Sequence, residues 1–281
     1  MARQPRDDAP GVAHHVMARG IERRPLFRDD ADREDFLQRL SRLAPELGFR
    51  CFAWALMPNH VHLVVRSASV RISQLMARLG TGYARRFNER HDRVGHLFQN
   101  RFRSRRVVDD ADLLGLVLYV TRNPLEARIV RDASELGDFP WCGLGALLGR
   151  RPPRAFESVA ETLALFGDDR VRAYEALRDW LEMAVPAAPP APAGEVIPCV
   201  AALAAAASFE DLVRETCVRF GIRTDELRSR RRNRVLAAAR SALVHRAAGE
   251  LGLSGAEIGR RLGVTPSGVH RMLGRAPAPT G

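Results

Sequence analysis

The chain has 281 residues, of which 46% are hydrophobic and 27% charged, and its formal net charge is +11. That length suits about two domains of ordinary size, the apolar share excludes global disorder, and no apolar run approaches the ~20 residues of a membrane helix. The chain contains arginine but no lysine, and the positive excess points to a polyanionic partner, because guanidinium binds phosphate bidentately and stacks on bases.

Residues 13–19 (AHHVMAR) read as a first strand. An Asp-rich stretch then opens a helix at about 30–47, with Phe36, Leu40, Leu43 and Leu47 on one stripe. FRCFAWALM (49–57) and HVHLVVRS (60–67) read as two strands joined by a tight Pro58-Asn59 turn. A helix is predicted over 71–89, carrying Ile72, Leu75, Met76 and Leu79, and a basic strand over 98–108. Asp109 is placed to cap a helix at about 110–122, with Pro124 just past its end. This order predicts an α+β sandwich around an antiparallel sheet. Two short helical patterns follow in 156–183, then a Pro/Ala-rich linker at 184–199 and a separate helical unit over 200–275.

The four cysteines, Cys51, Cys142, Cys199 and Cys217, form no C-x-x-C pair, so neither a zinc knuckle nor a disulfide framework is expected. The first residues lack the apolar segment of a signal peptide. A reducing cytoplasm is the expected compartment.

Three features carry chemistry. In MPNHVHLVV (57–65), a strand points side chains at i and i+2 the same way, so His60 and His62 share a face. Two such imidazoles can bind one metal ion or form a structural pair. In YVTRNP (119–124), Tyr119 and Asn123 stand at i and i+4 on one helix face. Tyr119 reads as a nucleophile or a core tyrosine; Asn123 reads as a hard oxygen ligand or a C-cap before Pro124. Two imidazoles and an amide oxygen would suit Mg²⁺ or Mn²⁺ with positions open for substrate phosphate. The stretch from Arg85 to Arg106 holds eight arginines against two acids, with Phe87, Phe98 and Phe102 among them. Arg85, Arg86, Arg101, Arg103 and Arg105 are its candidate contacts to single-stranded nucleic acid.

The segments ARGIERRPLF (18–27), MPNHVHLVV, YARRFNERHDRVGHLFQNRFRS (83–104) and YVTRNPLEARIV (119–130) together resemble the REP-associated tyrosine transposases. These are IS200-like, single-tyrosine members of the His-hydrophobic-His nucleases. The resemblance spans about residues 10–150 and implies a ferredoxin-like catalytic domain over 1–150 with a helical extension at 151–183. It implies a divalent metal (Mg²⁺ or Mn²⁺) held by His60, His62 and Asn123, with Tyr119 as nucleophile. Hairpin-forming single-stranded DNA is the implied substrate, cut through a 5′-phosphotyrosine with a free 3′-hydroxyl. Tyr83 is implied to support the fold. The chain departs from the pattern at Glu126, where arginine is expected, and at Ile21, where asparagine is common.

LSGAEIGRRLGVTPSGVHRML (253–273) reads as a helix-turn-helix, with Ser254 and Thr265 as caps and Pro266 opening the second helix. It resembles the duplex-binding domain of chromosomal replication initiators. Ser267, His270 and Arg271 would face a major groove, and Arg231 and Arg232 would hold phosphates. The expected whole is a metal-dependent DNA nuclease and strand transferase, monomeric or dimeric, with a duplex-binding unit. The competing readings are a DNA-binding regulator without cleavage and a phosphodiesterase that uses water.

Overall fold

The computed structural model describes residues 9–183, 208–229, 231 and 233–274. The expected linker, Cys199 and Arg232 lie outside them. The described residues group into two compact units.

The first unit comprises residues up to Val107 together with Glu135–Thr162. Strand β1 (Ala13–Arg19) leads through a short 3-10 turn (Ile21–Arg23) to helix α1 (Asp30–Glu46). Strands β2 (Phe49–Met57) and β3 (His60–Ser67) form a hairpin, followed by α2 (Ile72–Arg90) and the short β4 (Arg103–Arg106). The sheet order is β2-β3-β1-β4, with every neighbour antiparallel. Two split β-α-β units interleaved in this way make the ferredoxin-like topology.

Helix α1 starts where Asp29 accepts from the Asp32 amide at 3.0 Å. Its stripe of Phe36, Leu37, Leu40 and Leu43 is buried with Ile72, Leu75 and Leu79 of α2. Both helices cover the sheet face formed by Val16, Ala18, Val61, Leu63 and Val65. Each valine, leucine, isoleucine or phenylalanine side chain among these, once fully buried, contributes about 1.5–3 kcal/mol. Tyr83 joins this core and donates to the Leu26 carbonyl at 2.5 Å.

The basic strand is shorter than its sequence pattern. β4 pairs with β1 only from Arg103 to Arg106, while Phe98 makes a separate bridge to Gly20. Between those two anchor points, residues 18 and 19 of β1 face residues 99–102, so the surplus cannot stay in register and the ladder breaks.

After β4 the chain forms α3 (Asp110–Glu126), α4 (Ala133–Asp138), α5 (Leu144–Leu147), α6 (Val159–Ala164) and α7 (Arg170–Met183). The remaining described helices are α8 (Phe209–Phe220), α9 (Thr224–Arg228), α10 (Arg234–Leu251), α11 (Gly255–Leu262) and α12 (Pro266–Leu273). Back in the first unit, the segment after α5 returns to the sheet, where Trp54 donates to Glu157 at 2.7 Å and Thr162 to the Phe52 carbonyl at 3.2 Å.

The second unit comprises Val108–Ser134 and the described residues from Leu163 onward. Helix α3 groups with the C-terminal helices, contacting α8 and α10. Its residues from Asp112 to Leu125 are all buried, so it needs partners on every side. Gly115 allows close approach, since a Cβ there would lie 2.6 Å from Arg219 Nε and 3.1 Å from Phe220. Arg219 in turn ion-pairs with Asp112.

Helix α3 also runs through Pro124 to Glu126 rather than stopping before the proline. Proline removes only its own donor, and the Ala127 amide closes the last turn on the Asn123 carbonyl at 2.9 Å. Asn123 is thus inside the helix and not its cap.

Candidate functional site

The antiparallel register decides which side chains meet. Opposite residues in such a pair lie on one side of the sheet. Arg19 pairs with His60, Met17 with His62 and His15 with Val64. Arg103 of β4 lies opposite Met17, and Arg105 opposite His15. One sheet face is the apolar core; the other carries His15, Arg19, His60, His62, Arg103 and Arg105.

Burial shapes the two imidazoles. His62 is 2% exposed, and desolvation holds its pKa well below the usual histidine range, aided by His15 and His60. His60 is lowered to about 4, mainly by burial and also by the Arg19 charge. Both rings are therefore neutral at pH 7, the form that ligates metal. Their centroids lie 4.9 Å apart in an edge-to-face arrangement.

Each ring is held from behind. His60 Nδ1 lies 2.7 Å from Asn59 Oδ1. An amide oxygen only accepts, so Nδ1 carries the proton and Nε2 keeps its lone pair. His62 Nδ1 shares a hydrogen bond of 2.8 Å with His15 Nε2, in a nearly parallel ring pair.

The turn after β1 is strained and firmly tied. Glu22 and Arg23 adopt φ of 52° and 61°, a left-handed region that costs non-glycine residues about 1–3 kcal/mol each. The Gly20 amide donates to the Asn59 carbonyl at 2.9 Å, Ile21 to Leu97 at 2.9 Å and Leu26 to Pro58 at 2.8 Å. Asn59 Nδ2 donates to the Arg23 carbonyl at 3.2 Å. A Cβ on Gly20 would collide with the Arg24 carbonyl, so only glycine permits this path.

Tyr119 and Asn123 belong to α3 in the second unit. Tyr119 is 3% exposed. Asn123 is fully buried; its Nδ2 donates to the Tyr119 carbonyl at 2.9 Å, and its Oδ1 has no hydrogen-bond partner. An orphaned buried amide oxygen carries a desolvation cost of about 1–3 kcal/mol, and a hard cation is a partner that would remove it. Donor chemistry thus fits a divalent metal at each of the three expected ligands. Among the described residues, no group of three His, Cys, Asp or Glu side chains is arranged to hold a metal.

The basic residues divide by environment. Arg85 is exposed and pairs with Glu89 at 2.8 Å; Arg86, Arg101 and Arg103 are exposed, and Arg105 is half-buried. Glu126, the departure from the expected arginine, ion-pairs with Arg122 on the same helix. In the second unit Arg231 is exposed, and its carbonyl accepts from buried Arg240 at 2.9 Å. Arg240 also donates to the Leu227 carbonyl at 2.8 Å, fixing the backbone of the arginine-rich loop.

Helices α11 and α12 are capped as the sequence predicts. Ser254 accepts from Glu257 at 3.3 Å and Thr265 from Gly268 at 3.2 Å, with Gly263 left-handed between them at φ 75°. Ser267, His270 and Arg271 are exposed on α12, while Val269 is buried.

Sequence reasoning missed His15, Asn59, Arg19 and Arg23. The period-2 pattern of β1 aligns His15 with Arg19, but only the strand order shows that β3 is their neighbour.

No relative was found among curated proteins. A solved structure described as the REP-associated tyrosine transposase bound to a REP hairpin is similar over 53% of this chain and 87% of that one, with 16% identity and a TM-score of 0.45. Residues 9–123 match the family model described as transposase IS200 like. That span includes β1–β4, both imidazoles, Tyr119 and Asn123, and over it the chain has the sequence pattern of the IS200-like transposases.

Proposed function

We propose that the protein is a metal-dependent nuclease and strand transferase acting on hairpin-forming single-stranded DNA, with Tyr119 as its nucleophile. The observation that carries this reading is the pair of neutral imidazoles on one face of β3, inside the segment matched by the transposase family. His60, His62 and the orphaned Oδ1 of Asn123 would hold Mg²⁺ or Mn²⁺. Bound there, the cation supplies Lewis-acid polarisation of the scissile phosphate.

The chain's own residues do the rest. Asn59 fixes the tautomer of His60 so that Nε2 faces the site. Asn123 contributes an amide oxygen from the same helix as Tyr119, one turn on. The Tyr119 phenol oxygen attacks phosphorus and gives up its proton to water; the new O–P bond forms as the bond from phosphorus to the 3′-oxygen breaks, and that oxygen takes a proton from water to leave as a hydroxyl. Attack by another 3′-hydroxyl reverses the step, releases the tyrosine and rejoins a strand without an external energy source. Positioning and electrostatics supply most of the acceleration, as expected for a loose phosphoryl transition state.

The exposed Ser267, His270 and Arg271 of α12, with the exposed Arg231, support a second reading in addition: the α11–α12 pair docks duplex DNA as a helix-turn-helix.

The test is the full-length protein with a hairpin-forming oligonucleotide and Mn²⁺ or Mg²⁺. Wild type should cut the strand and leave a protein–DNA adduct that survives denaturation. Tyr119→Phe should lose both while still binding. Cleavage that survives Tyr119→Phe would mean a water-using phosphodiesterase; binding without any cleavage by wild type would mean a regulator.

A further inference from the structure

We propose that Arg19, Arg23 and Arg103 form a binding subsite for a backbone phosphate of the DNA strand, beside His60 on the polar face of the sheet. This rests on the nucleic-acid reading above and adds two arginines, Arg19 and Arg23, from outside the basic stretch at 85–106.

The argument starts from register. Arg19 stands opposite His60 on β3, and Arg103 stands opposite Met17, two residues from Arg19 on the same side of β1. Arg23 follows on the turn that leaves β1. The three cations are close enough that Arg23 and Arg103 both disfavour the charge on Arg19, which burial already disfavours. Arg19 Nε is buried without a hydrogen-bond partner.

No carboxylate among the described residues pairs with any of the three. The one acid in the turn, Glu22, instead pairs with Arg24 at 2.9 Å. Like charges held together without a counter-charge cost stability, unless an anion joins them.

The backbone is built to keep them there. Two consecutive left-handed residues, Glu22 and Arg23, persist because Asn59, Pro58 and Leu97 tie the turn at several points. Asn59 thereby holds both His60 and the backbone of Arg23. A strained turn fixed to the ligand-bearing hairpin, and carrying uncompensated guanidinium groups, is preorganised for an anion. A phosphodiester supplies that anion and would lie next to the imidazole whose Nε2 is free to ligate.

The test measures the affinity of the full chain for a single-stranded hairpin oligonucleotide against salt, by fluorescence anisotropy without cleavage-supporting metal. Arg23→Gln and Arg103→Gln, both at exposed positions, should each weaken binding about 5–10-fold and flatten the log–log salt slope by about 0.7, the value of one lost single-strand phosphate contact. Arg19→Gln should do the same, with circular dichroism reporting whether it folds. Arg78→Gln, which removes an arginine paired with Glu46, should leave both unchanged. Inorganic phosphate should compete only weakly. Wild-type affinity and slope in Arg23→Gln and Arg103→Gln would overturn the subsite while leaving the nuclease reading intact. Inorganic phosphate displacing the strand as effectively as excess oligonucleotide would overturn the assignment to a strand phosphate. Failure of wild type itself to bind any hairpin strand would overturn both readings, and is recognised because no variant is then needed.

Discussion

Asn59 joins two parts of the site through one amide: its Oδ1 accepts from His60 Nδ1 at 2.7 Å, and its Nδ2 donates to the Arg23 carbonyl at 3.2 Å. A residue that the sequence marks only as the second half of a tight turn therefore orients a candidate ligand and secures a strained loop.

Asn59→Ala should lower Mn²⁺ affinity about 10–100-fold, the usual effect of losing a group that orients a ligating histidine. Isothermal titration calorimetry on the purified chain measures this directly. Asn59→Asp keeps the acceptor and loses the donor, so it should retain more affinity than Asn59→Ala. Equal affinity in wild type and Asn59→Ala would separate Asn59 from metal binding.

Acidification should destabilise the metal-free protein. The folded-state pKa of His60 is lowered from 6.5 to about 4 by burial and by Arg19. Between those values the unfolded chain takes up a proton that the folded chain refuses. Stability from this group is thus fully present above pH 6.5 and is lost as pH falls to about 4. The upper limit is roughly 3 kcal/mol, at 1.36 kcal/mol per unit. His62 shifts in the same direction. Urea unfolding at stepped pH should show the decline, and His60→Asn should flatten it.

Tyr83→Phe separates a structural tyrosine from a reactive one. It leaves the buried Leu26 carbonyl without its donor and should cost about 1–3 kcal/mol in chemical denaturation. DNA cleavage should persist, in contrast to Tyr119→Phe. Loss of the covalent adduct in a folded Tyr83→Phe protein would contradict this division of roles.

Gly115→Ala should destabilise the second unit by about 1–3 kcal/mol, through overpacking of α3 against α8. The added methyl meets Arg219 and Phe220, and Arg219 cannot swing away without breaking its pair with Asp112. Thermal unfolding checks the size of the effect.

Arg271→Ala on α12 should weaken binding to duplex DNA and reduce the magnitude of its salt slope by about 0.9, one duplex phosphate contact, with hairpin-strand cleavage unchanged. An unaltered duplex affinity would remove Arg271 from that interface.

Much of the fold was legible in the chain. The boundaries of β1, β2 and β3 match the strands read from the chain, and α3 starts at the predicted Asp109 cap, because these are local properties of sequence. The shared face of His60 and His62 followed from alternation in the same way. Tertiary structure decided what depends on partners distant in sequence. The order β2-β3-β1-β4 brought His15 and Arg19 beside the imidazoles, from more than forty residues upstream. Register surplus cut the basic strand to Arg103–Arg106. All-round burial drew α3 to α8 and α10, helices distant from it in sequence. Neutral imidazoles and the bare amide oxygen of Asn123 likewise required burial, which no spacing rule reports: a residue's chemistry is set by what surrounds it, and its surroundings are assembled only when the chain closes on itself.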